Sequence, residues 1–266
     1  MSYQLIVFVE GLQVFVSLLF LLYASWSDLK TREVSNWVWV FYAPIGITLS
    51  LILLFLSDIS YDMFGISVGV TSALAVALFY AGAFGGADAK ALICLSLTLP
   101  TYPSHFIPFT SAILIFPLSV FSNAVILAAL SVLYVLLRNV FWRQRTGRRL
   151  FENFEHESKG RKILALLSGY KIPISKLEKS SFLYPLEDVQ VSEGGETERK
   201  LLIFPKDEER DEIVNRVLTT AKGEKTDYVW ATPGLPMLVF ITAGLIAALI
   251  FGDFVWIALT HLLASG

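Results

Sequence analysis

The sequence predicts an all-α polytopic membrane bundle of six transmembrane helices, with a small α+β cytoplasmic insertion between spans five and six. Two observations carry this expectation. The 266 residues are 55% hydrophobic and 17% charged, whereas a soluble domain carries roughly 25% charged residues. The chain therefore lacks the polar surface to cover itself in water. Its charges are also unevenly placed: of the 21 Lys and Arg, all but Lys30, Arg32 and Lys90 lie between Arg138 and Lys225. This composition excludes disorder and collagen-like repeats, and the lone Cys94 excludes an internal disulfide or an all-cysteine zinc site. A net charge of -2 gives no reason to expect a nucleic-acid partner.

A span needs about 20 mostly apolar residues to cross a hydrocarbon core of ~30 Å. The first candidate runs from about Leu5 to Trp26. It has no basic start, and Ser27, Asp28 and Lys30 follow it where a cleavage site would need small residues, so it reads as a retained anchor. The second runs from about Trp37 to Leu56 and the third from about Phe64 to Ala83. The fourth starts near Asp88 and is cut short by Pro100 and Pro103. Pro108 and Pro117 then break the start of the next apolar stretch, leaving a surface or re-entrant piece and a fifth span from about Pro117 to Leu137. The sixth runs from about Leu235 to Trp256 and beyond.

With six spans, every Lys and Arg falls on one side of the membrane, and the opposite loops hold Asp58, Asp62 and His105. The positive-inside rule makes the basic side cytoplasmic and puts both termini outside. The expected organisation is a membrane domain over 1–141, a cytoplasmic insertion over 142–229, and a sixth span over 230–266 that completes the membrane domain. The insertion opens with Arg143, Arg145, Arg148 and Arg149, suited to anionic lipid headgroups. Beyond it, Arg161 to Leu167 reads as a short helix, Ser181 to Tyr184 and Lys200 to Phe204 as strands, Ser192 to Glu198 as an acidic turn, and Asp207 to Leu218 as an amphipathic helix.

Ionisable residues near membrane depth are costly and are functional candidates. Topology sorts them. Asp28 ends span one and Asp88 opens span four, both on the cytoplasmic side, whereas Glu10, Asp58, Asp62 and Asp253 belong to the outer half. Two aspartates, about sixty positions apart, thus come to one depth and one face. Carboxylates held a few Å apart share a proton. One can then activate a water while the other protonates a carbonyl oxygen, which is peptide hydrolysis with no metal, cofactor or covalent intermediate. Plainer readings stand beside this one: Asp28 as a solvated interface residue, Asp88 as the N-cap of span four, and Gly85 and Gly86 as an ordinary turn. Lys90 lies either beside the Asp88 charge or on lipid phosphate. Pro233 and Pro236 either start span six or leave backbone groups free to pair with an extended peptide.

Around Asp88 the chain reads Ala83-Phe84-Gly85-Gly86-Ala87-Asp88-Ala89-Lys90, and around Asp28 it reads Asp28-Leu29-Lys30-Thr31-Arg32-Glu33-Val34-Ser35-Asn36. This pair resembles the GxGD membrane aspartyl proteases, and within them the type IV prepilin peptidases. The layout is most similar to the archaeal preflagellin peptidases, down to a last span entered through Tyr228 to Pro236. The resemblance implies an aspartic endopeptidase with Asp28 and Asp88 catalytic and Gly85, Gly86, Ala87 and Lys90 in support. It further implies Arg32, Pro233 and Pro236 as substrate contacts. Its substrates would be archaellin or pilin-like precursors with a short basic leader, cut at the cytoplasmic face. Ala87 departs from the motif, which has glycine there; alanine in a left-handed conformation costs roughly 1 kcal/mol. The paired CxxC motifs of the bacterial enzymes are missing, so N-methyltransferase activity is not expected. An alternative of another class is a proton-coupled transporter using Asp28 and Asp88 as a relay, and a third is an inactive scaffold whose insertion recruits a partner.

Overall fold

The computed structural model describes residues 2–107, 115–180, 183–191, 197–202, 210–224, 227–233 and 236–264. The chain forms two compact units, Met1–Ala128 with Pro236–Gly266, and Ala129–Leu235. The expected insertion, 142–229, lies inside the second.

The first unit is helical. Uninterrupted apolar runs form α1 (Ser2–Thr31), α2 (Asn36–Phe55) and α3 (Tyr61–Tyr80). Helix α1 ends where Arg32 turns left-handed, at φ 58°. Its N–H then closes on the Asp28 carbonyl at 2.9 Å. Helix α3 starts where the Ser60 hydroxyl accepts the Met63 N–H at 3.3 Å, the usual serine cap. Next come α4 (Gly86–Thr98) and α5 (Phe116–Thr146), whose end lies in the second unit.

Helices α1, α2, α3 and α5 are long and apolar enough to cross a membrane, and α9 (Met237–Phe251) and α10 (Phe254–Ala264) together make a fifth candidate bent by 46°. Their outward side chains are apolar: Phe55 is 85% exposed and Tyr80 83%, which water does not favour and lipid does. The molecule is a membrane protein.

Helix α4 departs from a regular fourth span. Its 13 residues reach only about 20 Å at 1.5 Å per residue. The reason is its position: α4 packs against α1, α2, α3 and α9, with Ala91, Leu92 and Leu95 fully buried. Protein rather than lipid surrounds it, so irregular backbone is tolerated where the helix stops. Leu99 and Tyr102 of the following segment are buried as well. The α2 backbone comes close enough to α4 that a Cβ on Gly46 would collide with Thr98. A Cβ on Gly244 would likewise meet the backbone of Val120 and Ala124, so α9 lies directly on α5. Small residues permit such approach in bundles lacking a hydrophobic drive to associate.

The last span is also not continuous. Gly252 takes φ 82° and separates α9 from α10. Asn123 of α5 repairs the break, donating to the Gly252 carbonyl at 2.8 Å and accepting the Phe254 N–H at 2.9 Å. Asp253, taken from the sequence as an outer-half carboxylate, accepts the Val255 N–H at 2.8 Å and caps α10.

The second unit holds the end of α5 and α6 (Lys159–Ser168), β1 (Tyr170–Pro173), α7 (Ile174–Lys179), β2 (Leu183–Pro185), β3 (Glu187–Val191), β4 (Thr197–Leu201), α8 (Arg210–Glu224) and β5 (Tyr228–Pro233). The strands form a three-stranded antiparallel sheet in the order β1-β5-β2 and a β3-β4 hairpin. The core of the sheet is Ile172, Leu177, Val217 and Val229. Glu187 links the two layers: Arg199 Nη1 donates to it at 3.1 Å and the Trp230 N–H at 3.1 Å. The nearby Lys171 amine has its pKa lowered by burial, with the Glu187 charge acting in the other direction. Parts of the expected elements (Ser181 with its neighbour 182, Ser192 to 196, 203 and Phe204, Asp207 to 209, and Gly234 with Leu235) lie outside the described residues, as does Pro108.

Candidate active site

Helical periodicity places the first aspartate. Asp28 follows Leu21, Ala24 and Ser25 on the buried face of α1. That turn of α1 is pinned to α9: the Ser25 hydroxyl donates to the Leu238 carbonyl at 3.0 Å and lies 2.7 Å from Thr242 Oγ1. On either side of Asp28, Ser27 Oγ and Thr31 Oγ1 donate to the Glu33 carbonyl at 2.7 and 3.0 Å. The hydroxyls thus fold the chain back toward α2.

Asp88 stands in the first turn of α4, on the face continued by Leu92 and Leu95. The Gly85 N–H donates to its Oδ2 at 3.0 Å. Asp88 is thus not the N-cap but the residue three positions on, reaching back to the cap's own donor. Helices α1 and α4 are in contact. Both carboxylates are half-buried; the Asp28 charge acts on Asp88, and the Arg32 charge acts on Asp28.

The supporting residues differ from expectation in two respects. The left-handed residue of the α3–α4 turn is Gly82, at φ 73°, while Gly85 is extended at φ -72° and Gly86 begins the helix. Ala87 is inside the first turn of α4 and is not among the described residues with positive φ. The left-handed penalty therefore does not fall on it. Lys90 donates to Asn36 Oδ1 at 2.7 Å, which ties α4 to the start of α2. Asn36 belongs to the stretch that follows Asp28 in sequence, and its amide at the first position of α2 is the sign there of a partner for a lysine.

Arg32 belongs to this end of the bundle, while the two prolines part company. Pro233 pairs with Leu183 at the end of β5 in the second unit, and Pro236 is the N-cap of α9 in the first. The segment from Tyr228, read from the sequence as an entry to the last span, is instead the central strand of the sheet.

Residues 15–138, which include both aspartates, match the type IV leader peptidase family. Residues 161–254 match the archaeal peptidase A24 C-terminus of type II. The chain is 29% identical over 251 residues to a preflagellin peptidase of Methanococcus voltae, covering 90% of this chain and 94% of that protein. It is 26% identical over 245 residues to one of Methanocaldococcus jannaschii, covering 88% and 91%. For one of Methanococcus maripaludis the identity is 23% over 242 residues, covering 88% and 92%. The two family matches together take in most of the chain, and each of these preflagellin peptidases is covered over more than nine-tenths of its own length.

Proposed function

We propose that this protein is a membrane-embedded aspartyl endopeptidase that removes the leader peptide of preflagellin-like or pilin-like precursors at the cytoplasmic face of the membrane. What supports the reading is that Asp28 and Asp88 stand on two helices in contact with each other, with the Asp28 charge acting on Asp88, in a bundle of apolar helices. One carboxylate accepts a proton from water as the oxygen attacks the scissile carbonyl, and the other donates a proton to the carbonyl oxygen. The Gly85 N–H holds the Asp88 carboxylate in place for this exchange. The names of the relatives support the substrate class. A site at a helix end also suits a substrate whose cut bond must leave its helix and meet water.

In this reading the segment from Gly86 to His105 serves as the short span four. Helix α4 starts beside Asp28, and His105 lies 3.2 Å from Glu10, about 18 residues or roughly 27 Å along α1 from Asp28. The segment thus crosses the same thickness as α1, partly as helix and partly extended. With α9 and α10 as one bent span, six crossings result, and the Lys and Arg collect on the side of Asp28 and Asp88. Asp28→Asn or Asp88→Asn is expected to slow cleavage of a precursor in membranes by at least about 100-fold, the range of a lost general acid or base, with the protein still inserted. A variant that processes at the wild-type rate removes that aspartate from the mechanism.

A further inference from the structure

The opposite end of the bundle brings together three residues that the peptidase reading leaves unused. Glu10 comes from α1, Asp58 from the α2–α3 turn, and His105 from the segment after α4. The Glu10 side chain is 4% exposed, Asp58 10% and His105 35%. His105 Nδ1 is 3.2 Å from Glu10 Oε1 and 3.4 Å from Asp58 Oδ1. The second Glu10 oxygen accepts the Phe106 N–H at 2.6 Å, which fixes the carboxylate and aims Oε1 at the imidazole.

Charge and spacing both need explaining. One imidazole nitrogen faces two carboxylate oxygens, and a single N–H cannot give both a full hydrogen bond. Even a protonated His105 offsets only one of the two negative charges. Asp62 lines the same cavity of about 760 Å³, and no Lys or Arg is among its described lining residues. Two carboxylates and a neutral imidazole balance a dication.

The spacing fits the same answer. Metal bonds of about 2.0–2.2 Å at tetrahedral angles put neighbouring donor atoms roughly 3.3–3.5 Å apart. The 3.2 and 3.4 Å separations from His105 Nδ1 match that spacing, and one donor atom from each residue lies within 4.8 Å of the others. The Phe106 hydrogen bond supplies the outer support that ligating carboxylates normally have. An imidazole in the set favours a transition metal over Ca²⁺ or Mg²⁺, which take oxygen ligands.

We propose that Glu10, Asp58 and His105 form a binding site for a divalent transition metal, Zn²⁺ in kind, which ties α1 to the α2–α3 turn and to the segment after α4. The remaining coordination position faces the cavity beside Tyr61, Asp62 and Ser104. The metal is remote from Asp28 and Asp88; it holds together the outer ends of the two helices that carry them.

The test uses the full-length protein in detergent, stripped with a chelator and titrated calorimetrically with Zn²⁺ alone. One equivalent is expected to bind and to raise Tm. His105→Gln and Asp58→Asn should each weaken binding at least tenfold and abolish the Tm rise, while a His156→Ala/His261→Ala double variant binds as wild type. Co²⁺ on the wild-type protein is an independent readout that needs no variant, with visible absorption of a low-symmetry four-coordinate site expected. Absence of stoichiometric Zn²⁺ binding, binding unchanged in both site variants, or loss of binding only in the His156/His261 variant overturns the proposal.

Discussion

Glycine and alanine have exchanged expected roles in the turn before α4. Gly82 carries the left-handed conformation, at φ 73°, so Gly82→Ala should cost about 1–2 kcal/mol and lower the thermal midpoint in detergent. Ala87→Gly should also destabilise, by about 0.5–1 kcal/mol, because glycine weakens a helical turn. A rise in Tm for Ala87→Gly would place the strain back at position 87. Asp28 and Asp88 stand out in the sequence because charge is rare beside apolar runs, and the proposed topology puts both on one side. Which glycine turns left-handed was not legible, since Gly82, Gly85 and Gly86 all permit it and the choice follows from where α4 begins. Glu10, Asp58 and His105 were each assigned to the outer half. Their meeting depends on how the post-α4 segment lies against α1, which no local pattern encodes.

Among the elements, the long apolar helices are the most legible. Helices α1, α2, α3 and α5 carry long apolar stretches with many exposed apolar side chains, so hydropathy reveals them. Helix α4 is lined by protein, which releases it from the need to span 30 Å as regular helix. The break between α9 and α10 was hidden because Gly252 and Asp253 sit in an apolar run, and its repair comes from Asn123, distant in sequence. Asn123→Ala strands an N–H and a carbonyl at that break. The expected cost is about 1–3 kcal/mol for each unsatisfied group, read as a lower Tm; an unchanged Tm would show the break to be stable without its amide. In the second unit, β5 escaped detection because Tyr228 to Pro233 leads straight into an apolar helix and resembles its entry. Only pairing with β1 and β2 distinguishes it.

For the molecule as a whole, the uneven charge sets the proposed orientation. Cysteines placed at Ser35 and Ser60, both exposed at opposite ends of the bundle, test it against a background in which the native Cys94 is buried. In right-side-out vesicles a membrane-impermeant maleimide should label Ser60→Cys directly and Ser35→Cys only after permeabilisation. The reverse pattern would put the aspartates on the outer face and refute the cytoplasmic site.

The central claim is that Asp28 and Asp88 act as one unit on one peptide bond. Groups that act as a unit are strongly non-additive when removed. Precursor cleavage rates for Asp28→Asn, Asp88→Asn and the double variant measure this most directly. The double variant is expected to be no slower than either single one. A double variant whose loss is the product of the two single losses would show two independent contributions and contradict a shared catalytic pair.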